Sequence, residues 1–331
     1  MRGMQGKLTD ADGQTVEATL DAVRRRLGGD AFFWLDLEGL DAETGDLLRQ
    51  DFGFHPLAVE DAEHFGQRPK VDDFDGFTYL VLHGARASSG ESVTREVHVF
   101  YAAKHVVTVH KDDGDLFDGV RQRAARHRAA AGSSPGVSLL YLIVDELVDT
   151  YFPVLAQLDD RIDALEDAIL KRPTEAQLGE LFGMKRTLVA LRKVVTPERD
   201  MFARLLSGMS IVEGMTPEDE RYFRDLYDHL IRISDLVDSY RDLLTGAMDT
   251  HLSTVSNRLN VVMKQLTIIA TIFLPLSFLT GFFGQNFALL TGHVLTQTWS
   301  FWVLGIGLEL VTAAGLLYLF RRRGWLGGPT E

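Results

Sequence analysis

Residues 278–297, FLTGFFGQNFALLTGHVLTQ, leave an apolar run through glycines and a Gln285-Asn286 pair into a loop that has no carboxylate. Such a segment offers backbone amides and carboxamides, rather than charge, at the mouth of something strongly hydrophobic. Upstream, Asp249, Leu252, Ser256, Asn260, Met263, Thr267, Ala270, Leu274, Ser277 and Gly281 advance 32 residues in nine steps, so they share one line down a helix. In a bundle with rotational symmetry each becomes a ring. An acidic ring at Asp249 is followed by hydroxyl and amide oxygens at Ser256 and Asn260, a mainly apolar stretch from Met263 to Leu274, and Ser277 and Gly281 near the exit. Apolar rings stop ions by dewetting, and polar rings hold a hydrated ion. The line suits a helix interface in lipid equally well, where small and hydroxyl residues such as Ala270 and Ser277 are favoured.

Two apolar runs, residues 266–283 and 299–320, must carry these groups, and between Lys264 and Arg321 the only charged side chain is Glu309. Each run can cross a hydrocarbon core of ~30 Å. Helices buried in a soluble domain keep a polar face every few residues, and these do not. Arg258 and Lys264 before the first run and Arg321 to Arg323 after the second put both ends in the cytoplasm by the positive-inside rule. The expected spans are 265–284 and 299–320, with an extracytoplasmic loop at 285–298 and a basic cytosolic tail at 321–331. The localisation expected is the cell (inner) membrane. Glu309, costly in hydrocarbon if charged, is expected to be protonated or hydrogen-bonded against a neighbouring helix.

The rest of the chain reads as cytosolic. Residues 31–110 mix strand-like runs at 31–37, 77–83, 92–101 and 105–110 with short helical patterns near Glu43 and Pro56, which predicts an α/β domain over 1–135. Val154, Leu158, Ile162, Leu165 and Ile169 share a helical face, and Arg172-Pro173-Thr174 breaks that helix before Thr174 and Gln177 start the next with capping-box spacing. An acidic antiparallel hairpin over 136–213 follows. Thr216-Pro217-Glu218-Asp219 opens a helix with no breaker before Pro275, so one helix of some sixty residues, ~90 Å, is expected to run from the cytosolic stalk at 214–264 into the first span. On it Leu226, Leu230, Ile233, Val237, Tyr240, Leu244 and Ala247 step as a heptad seam for packing on another helix, and oligomerisation through a bundle is the expectation drawn from it. The fold class is thus an α+β membrane protein with a cytosolic α/β domain, a long helical stalk and two C-terminal transmembrane helices.

Composition excludes several functions. A formal net charge of -13 over 331 residues argues against nucleic-acid binding and suits divalent cations, the basic clusters at Arg24 to Arg26 and Arg121 to Arg128 being isolated. The absence of cysteine removes thiolate metal sites, disulfides and cysteine catalysis. No HExxH, nucleophile elbow or phosphate loop occurs, and the opening MRGMQGKLTDADG has no apolar core of a signal peptide. An enzyme is not expected.

The segment VSNRLNVVMKQLTIIATIFLPLSFLTGFFGQNF resembles the pore segment of the CorA family of magnesium and divalent-cation transporters, whose Gly-Met-Asn signature falls at Gly284-Gln285-Asn286. FGFHPLAVEDAEHFGQRPKVDDFDGFTYLVL, YLIVDELVDTYF, YFRDLYDHLIRISDLVDSYRDLL and the closing RRRGWL are similar to the same family, in order along nearly the whole chain. The resemblance implies a funnel-shaped homopentamer in a lipid bilayer, with a pore helix from each subunit inside an outer ring of second spans. It implies that Gly284 and Asn286 form the external ring receiving a hydrated cation, that Asn260 forms an inner polar ring, that Met263, Leu266 or Thr267, and Leu274 make the hydrophobic gate, and that Asp249 guards the cytosolic end. Mg²⁺ dehydrates reluctantly and demands an octahedron of oxygens, so carboxamides and carbonyls can hold its water shell without stripping it. The resemblance further implies an intersubunit regulatory metal site at Asp61 and Asp225 and a looser one at Glu60, Asp145 and Asp149. Read without it, each of these acids is a solvated surface carboxylate.

Gln285 departs from the methionine of the signature, and the outer loop lacks an acidic pair, offering His293 instead. These departures leave ion choice open. The leading expectation is a passive, metal-gated channel for Mg²⁺, with Co²⁺ and Ni²⁺ as further substrates, Mg²⁺ being both cargo and regulator. The alternatives are a zinc transporter of the same superfamily, proton-coupled or not, and a membrane-anchored sensing oligomer that binds cations without conducting them.

Overall fold

The computed structural model describes residues 4–88, 91–111, 116–126, 134–210, 212–286, 288, 290–294 and 297–325. The chain divides into two compact units, Met1–Asp249 and Thr250–Glu331.

The first unit is built on a seven-stranded sheet of β1 (Gly6–Asp10), β2 (Thr15–Glu17), β3 (Phe33–Glu38), β4 (Lys70–Phe74), β5 (Phe77–Ser88), β6 (Glu91–Ala102) and β7 (His105–His110), in the order β2-β1-β3-β7-β6-β5-β4. All neighbours pair antiparallel except β3 and β7, which run parallel. The period of two along the strands feeds two cores. Phe33, Leu35, Leu37, Tyr79, Val81, Phe100, Val107 and Val109 pack on one face with α1 (Leu20–Leu27), α2 (Ala42–Asp46) with its π-helical continuation Leu47–Asp51, and α3 (Pro56–Glu63). Trp34, Leu80, Leu82, Val97, Val99, Tyr101 and Val106 turn to the other face, against α4 (Asp118–Arg126), α5 (Pro135–Asp149), α6 (Tyr151–Lys171), α7 (Glu175–Leu206) and the start of α8 (Asp219–Phe283).

Strands run through the four expected stretches, residues 136–213 hold three helices, α5, α6 and α7, with the expected break between α6 and α7, and the capping box at Thr174 and Gln177 forms, each side chain accepting the other residue's backbone N–H. The strands β1, β2 and β4 and the helix α1 were not among the expectations. β1 and β2 are short and largely polar, so only Leu8 of β1 marks an apolar side, and α1 buries only Val23 among basic residues. Regular helix in α8 begins at Asp219, two residues beyond the expected Pro217, and Thr216 still makes the capping contact. Its hydroxyl accepts the Asp219 N–H while the Asp219 carboxylate accepts the Thr216 N–H.

The heptad seam needs correction in its partner, not its existence. Leu226, Leu230, Ile233, Val237, Tyr240, Leu244 and Ala247 are all buried, in the same core as Val154, Leu158, Ile162, Leu165 and Ile169 of α6 and Leu181, Leu188, Leu191 and Val195 of α7. The seam is consumed inside the chain, so it does not supply a contact between copies. Spacing reports that a helix face needs cover; it does not say which chain provides it.

The second unit holds residues 250–283 of α8, which continues helical through Pro275, a π-helical turn Leu290–Val294, α9 (Thr298–Ser300), a π-helical stretch Phe301–Gly307 and α10 (Leu308–Arg322). Asp219–Phe283 and Phe301–Arg322 are long and apolar enough to cross a membrane, and almost none of their most apolar stretches is buried within the chain. Loop positions Phe287, Leu289, Leu295 and Thr296, Arg128 of the basic cluster, and the basic tail beyond Trp325 lie outside the described residues.

Candidate functional site

Asp249, the last residue of the first unit, and Leu252, Ser256, Asn260, Met263, Leu266, Thr267, Ala270, Leu274, Ser277 and Gly281 of the second all belong to α8 and are all exposed in the single chain. Exposure alone does not single the stripe out, because Val262, Ile269, Phe273 and Phe278 on other sides of the helix are exposed as well. An open hollow of about 470 Å³ is lined by Ala270, Phe273, Leu274, Ser277 and Phe278, which puts three stripe residues beside two phenylalanines. Thr267 is tied to its own helix, its hydroxyl donating to the Met263 carbonyl at 2.7 Å.

The signature turn follows directly on the helix end. The Gly284 N–H reaches the Thr280 carbonyl at 2.9 Å and the Gln285 N–H the Phe282 carbonyl at 3.3 Å, after which the chain leaves helical geometry. Glycine fits this turn because a β-carbon at 284 would lie 3.0 Å from the Thr280 carbonyl oxygen. Gly284, Gln285 and Asn286 are exposed, so two carboxamides stand free at the end of an apolar rod. Glu309 of α10 is hydrogen-bonded against the neighbouring span: the Thr280 hydroxyl donates to its Oε1 at 2.7 Å.

The acidic residues fall into two groups within the first unit. Glu60 and Asp61 lie on α3, whose entry is fixed by Pro56 in the first turn and by the His55 ring accepting the Leu57 N–H. The loop leaving α3 is pinned by Glu96, whose carboxylate accepts the N–H groups of Gly66 and Gln67 at 2.6 and 3.0 Å. That loop delivers Lys70, whose ammonium lies 2.7 Å from both Asp61 and Asp72. Burial works to lower the Lys70 pKa, but the hydrogen bonds to Asp61 and Asp72 outweigh it and raise the value above that of an ordinary lysine.

Asp145 and Asp149 lie one turn apart on α5, and Asp225 of α8 is near enough to act on Asp149 through its charge. Burial first, then the Asp145 charge, raises the Asp149 pKa; His229 and Arg123 oppose, and Asp225 adds to the rise. Arg123 donates to Asp145 at 2.6 Å and to Glu146 at 2.8 Å, and His229 Nε2 stands 4.0 Å from the Asp225 carboxylate. Asp225 therefore shares a patch with Asp145 and Asp149, while Asp61 and Glu60 lie on a helix packed against the opposite face of the sheet. Among the described residues no three histidines or carboxylates converge to hold a metal within one chain. Within one chain Asp61 and Asp225 thus belong to separate groups.

Several residues that matter here were not singled out from sequence. Lys70 and Arg123 neutralise candidate metal ligands from 9 and 22 positions away, a relation no local pattern carries. Glu198, wholly buried on α7 next to Pro197, accepts the His83 N–H at 3.0 Å and a longer bond from the Tyr151 hydroxyl at 3.4 Å. Burial pushes its carboxyl up to about 8. Its sequence context, a proline and a charge inside a helix, was the available signal.

Residues 29–322 match the family described as CorA-like Mg2+ transporter protein. The chain is 35% identical over 296 positions, 88% of its own length and 83% of the relative's, to the cobalt/magnesium transport protein CorA of Thermotoga maritima. It is 27% identical to the zinc transport protein ZntB of Yersinia enterocolitica, covering 88% of each chain. The complete structure of the CorA magnesium transporter from Methanocaldococcus jannaschii superposes with a TM-score of 0.82 at 23% identity, over 98% of this chain and all of that one.

Proposed function

The chain belongs to the CorA-like Mg2+ transporter family, a family of membrane transporters and not of enzymes, and from that premise we propose that it is a passive Mg²⁺ channel, gated by intracellular divalent metal. The observation that carries the reading is one uninterrupted helix, Asp219–Phe283, delivering Gly284, Gln285 and Asn286 as exposed neutral oxygen donors directly at the end of an apolar span. The assembly we propose is a homopentamer with cytoplasmic termini, in which α8 lines the axis.

Each step then follows from the residues. At the outer rim Asn286 and the Gly284 carbonyl accept hydrogen bonds from the water shell of Mg²⁺, which costs far less than replacing that shell. Neutral dipoles release the ion again, where a ring of carboxylates would hold it. Below Ser277 and Gly281, Leu274, Leu266 and Met263 form the stretch that closes by dewetting when the helices draw together, and Asn260, Ser256 and Asp249 receive the ion on the inner side. A cytosol-negative potential supplies ~2.3 kcal/mol per charge per 100 mV, thus ~4.6 for a divalent ion, enough for entry without ATP.

Gating rests on the acids of the first unit. In an oligomer Asp61 of one copy would face Asp225 of the next, with Glu60, Asp145 and Asp149 forming the looser neighbour. Bound Mg²⁺ removes repulsion among these carboxylates and so favours the closed assembly, and its loss favours the open one. A ligand set of oxygens alone suits Mg²⁺.

A zinc-transporting reading has support in the similarity to ZntB and in Gln285 and His293. Uptake of Mg²⁺ and of Zn²⁺ into proteoliposomes holding the full chain, with and without a pH gradient, separates the two. Mg²⁺ uptake that follows the imposed potential and ignores the pH gradient is the expected result. Zinc uptake that requires the gradient, with no Mg²⁺ flux, overturns it.

A further inference from the structure

The only charged side chain between Lys264 and Arg321 is Glu309, and the proposed pathway makes no use of it. In the second unit it is not idle. Its Oε1 receives the Thr280 hydroxyl at 2.7 Å, and Thr280 is the residue whose backbone carbonyl holds the Gly284 N–H at 2.9 Å. Two bonds thus connect a carboxyl group on α10 to the first residue of the Gly284-Gln285-Asn286 turn, through one threonine. The same hydroxyl also lies 2.9 Å from the Leu276 carbonyl of its own helix. A threonine in a helix ordinarily closes on the carbonyl four residues back, and there it serves no other element. Here a second partner competes for that hydroxyl from α10.

A carboxyl in a membrane span is expensive, and one that meets a hydroxyl on the facing span fixes both the rotation and the height of one helix against the other. An apolar contact supplies no such directional bond. The end of α8 is where register matters most, because a turn of helix rotated by a fraction would swing the Asn286 carboxamide away from the axis.

We propose that Glu309 is a positioning residue for the cation-receiving turn, acting through Thr280 by hydrogen bonding and not by its charge. The proposal rests on the reading of Gly284-Gln285-Asn286 as the site of cation entry. The role of Glu309 is to hold the exposed carboxamides at one height, so its loss weakens capture of the hydrated ion before it slows conduction.

The test uses the full chain in proteoliposomes with Mg²⁺ as the probe. Glu309→Gln, which keeps an oxygen acceptor, is expected to stay within about twofold of the parent in apparent KM, while Glu309→Leu and Thr280→Val each raise it roughly tenfold with a smaller change in maximal rate. Combining Glu309→Leu with Thr280→Val is expected to be no worse than either alone, since both cut the same link. A second readout does not depend on transport. Because the chain has no cysteine, Gln285→Cys places a single thiol on the turn. Its modification rate in lipid nanodiscs is expected to shift several-fold when Glu309→Leu or Thr280→Val is added and to hold with Glu309→Gln. Unchanged KM and thiol reactivity in Glu309→Leu, effects of the two substitutions that multiply, or a Glu309→Gln variant as impaired as Glu309→Leu would each overturn the proposal. If the parent carries no cation while the thiol rates shift as described, the transport reading fails and the latch stands.

Discussion

The two parts of α8 have the same backbone and opposite surroundings. Residues 219–249 present a seam, Leu226 to Ala247, that the chain itself covers with α6 and α7. Residues 250–283 present Val261, Leu266, Ile269, Phe273, Leu274 and Phe278 to the outside of the chain on several sides. The first part behaves as a core helix of a soluble domain, with one apolar stripe and a polar remainder. From Leu266 onward the second part is apolar nearly all round, which a helix tolerates when its solvent is hydrocarbon and its remaining face meets other protein. One helix thus answers two solvents: the chain's own cover ends near Asp249, where the first unit ends, and the apolar stretch begins after Lys264.

The sharpest way to break this comparison is to truncate the same residue type on both sides. Leu230→Ala removes a wholly buried side chain and is expected to cost ~2–5 kcal/mol in unfolding of the first unit, seen as a clear drop in melting temperature. Leu266→Ala is expected to leave that transition in place and to alter ion flux instead. Equal melting shifts in the two variants would mean that the division is wrong.

A second effect belongs to the first unit alone. Glu198 has its pKa raised to about 8 in the folded chain, above the ordinary carboxylate value, so the folded state binds the proton more tightly than the unfolded one. Stability from this group is then full below the ordinary carboxylate range, declines as pH rises toward about 8, and is flat beyond. Thermal unfolding of the purified protein between pH 5 and 9 should show this decline, and Glu198→Gln should flatten it.

Asn286→Ala sharpens the comparison from the membrane side. It is expected to lower Mg²⁺ uptake by at least ~10-fold, a loss of ~1.4 kcal/mol or more in stabilisation of the entering ion, with the melting temperature unchanged. The smallest expected effect is at Lys70. Its ammonium pairs with Asp61, and a metal at the proposed regulatory site would have to displace it, so Lys70→Met should tighten Mg²⁺ inhibition of flux a few-fold. Weaker inhibition would show that Lys70 helps to build the site.

Much of the first unit could be read from period alone. The strands β5, β6 and β7 read as largely continuous apolar runs because both faces of the sheet are buried under different cores, whereas α6 shows a single stripe because only one side of it is covered. What could not be read is who covers whom. The α8 seam was legible as a seam, yet its partners on α6 and α7 are set by tertiary packing that spacing does not encode. Ion pairs fail in the same way: Asp61 and Asp145 look like free carboxylates in sequence until Lys70 and Arg123 arrive from other elements. In the membrane the stripe and the signature turn were visible because few polar groups are tolerated there, so each one stands out. Thr280 was hidden, being an ordinary helical threonine until Glu309 reaches it.

Pro275 gives the outer end of α8 a mechanical character of its own. Lacking an N–H, it removes the donor that would engage the Thr271 carbonyl, so the rod is short of one backbone bond between Leu274, of the proposed gate, and the turn at Gly284. A joint there uncouples the last two turns from the helix below, so that their tilt is set locally, by contacts such as the one between Thr280 and Glu309. In the proposed channel the aperture met by an arriving ion would then be trimmed locally, at the membrane surface, without recruiting the whole length of the helix.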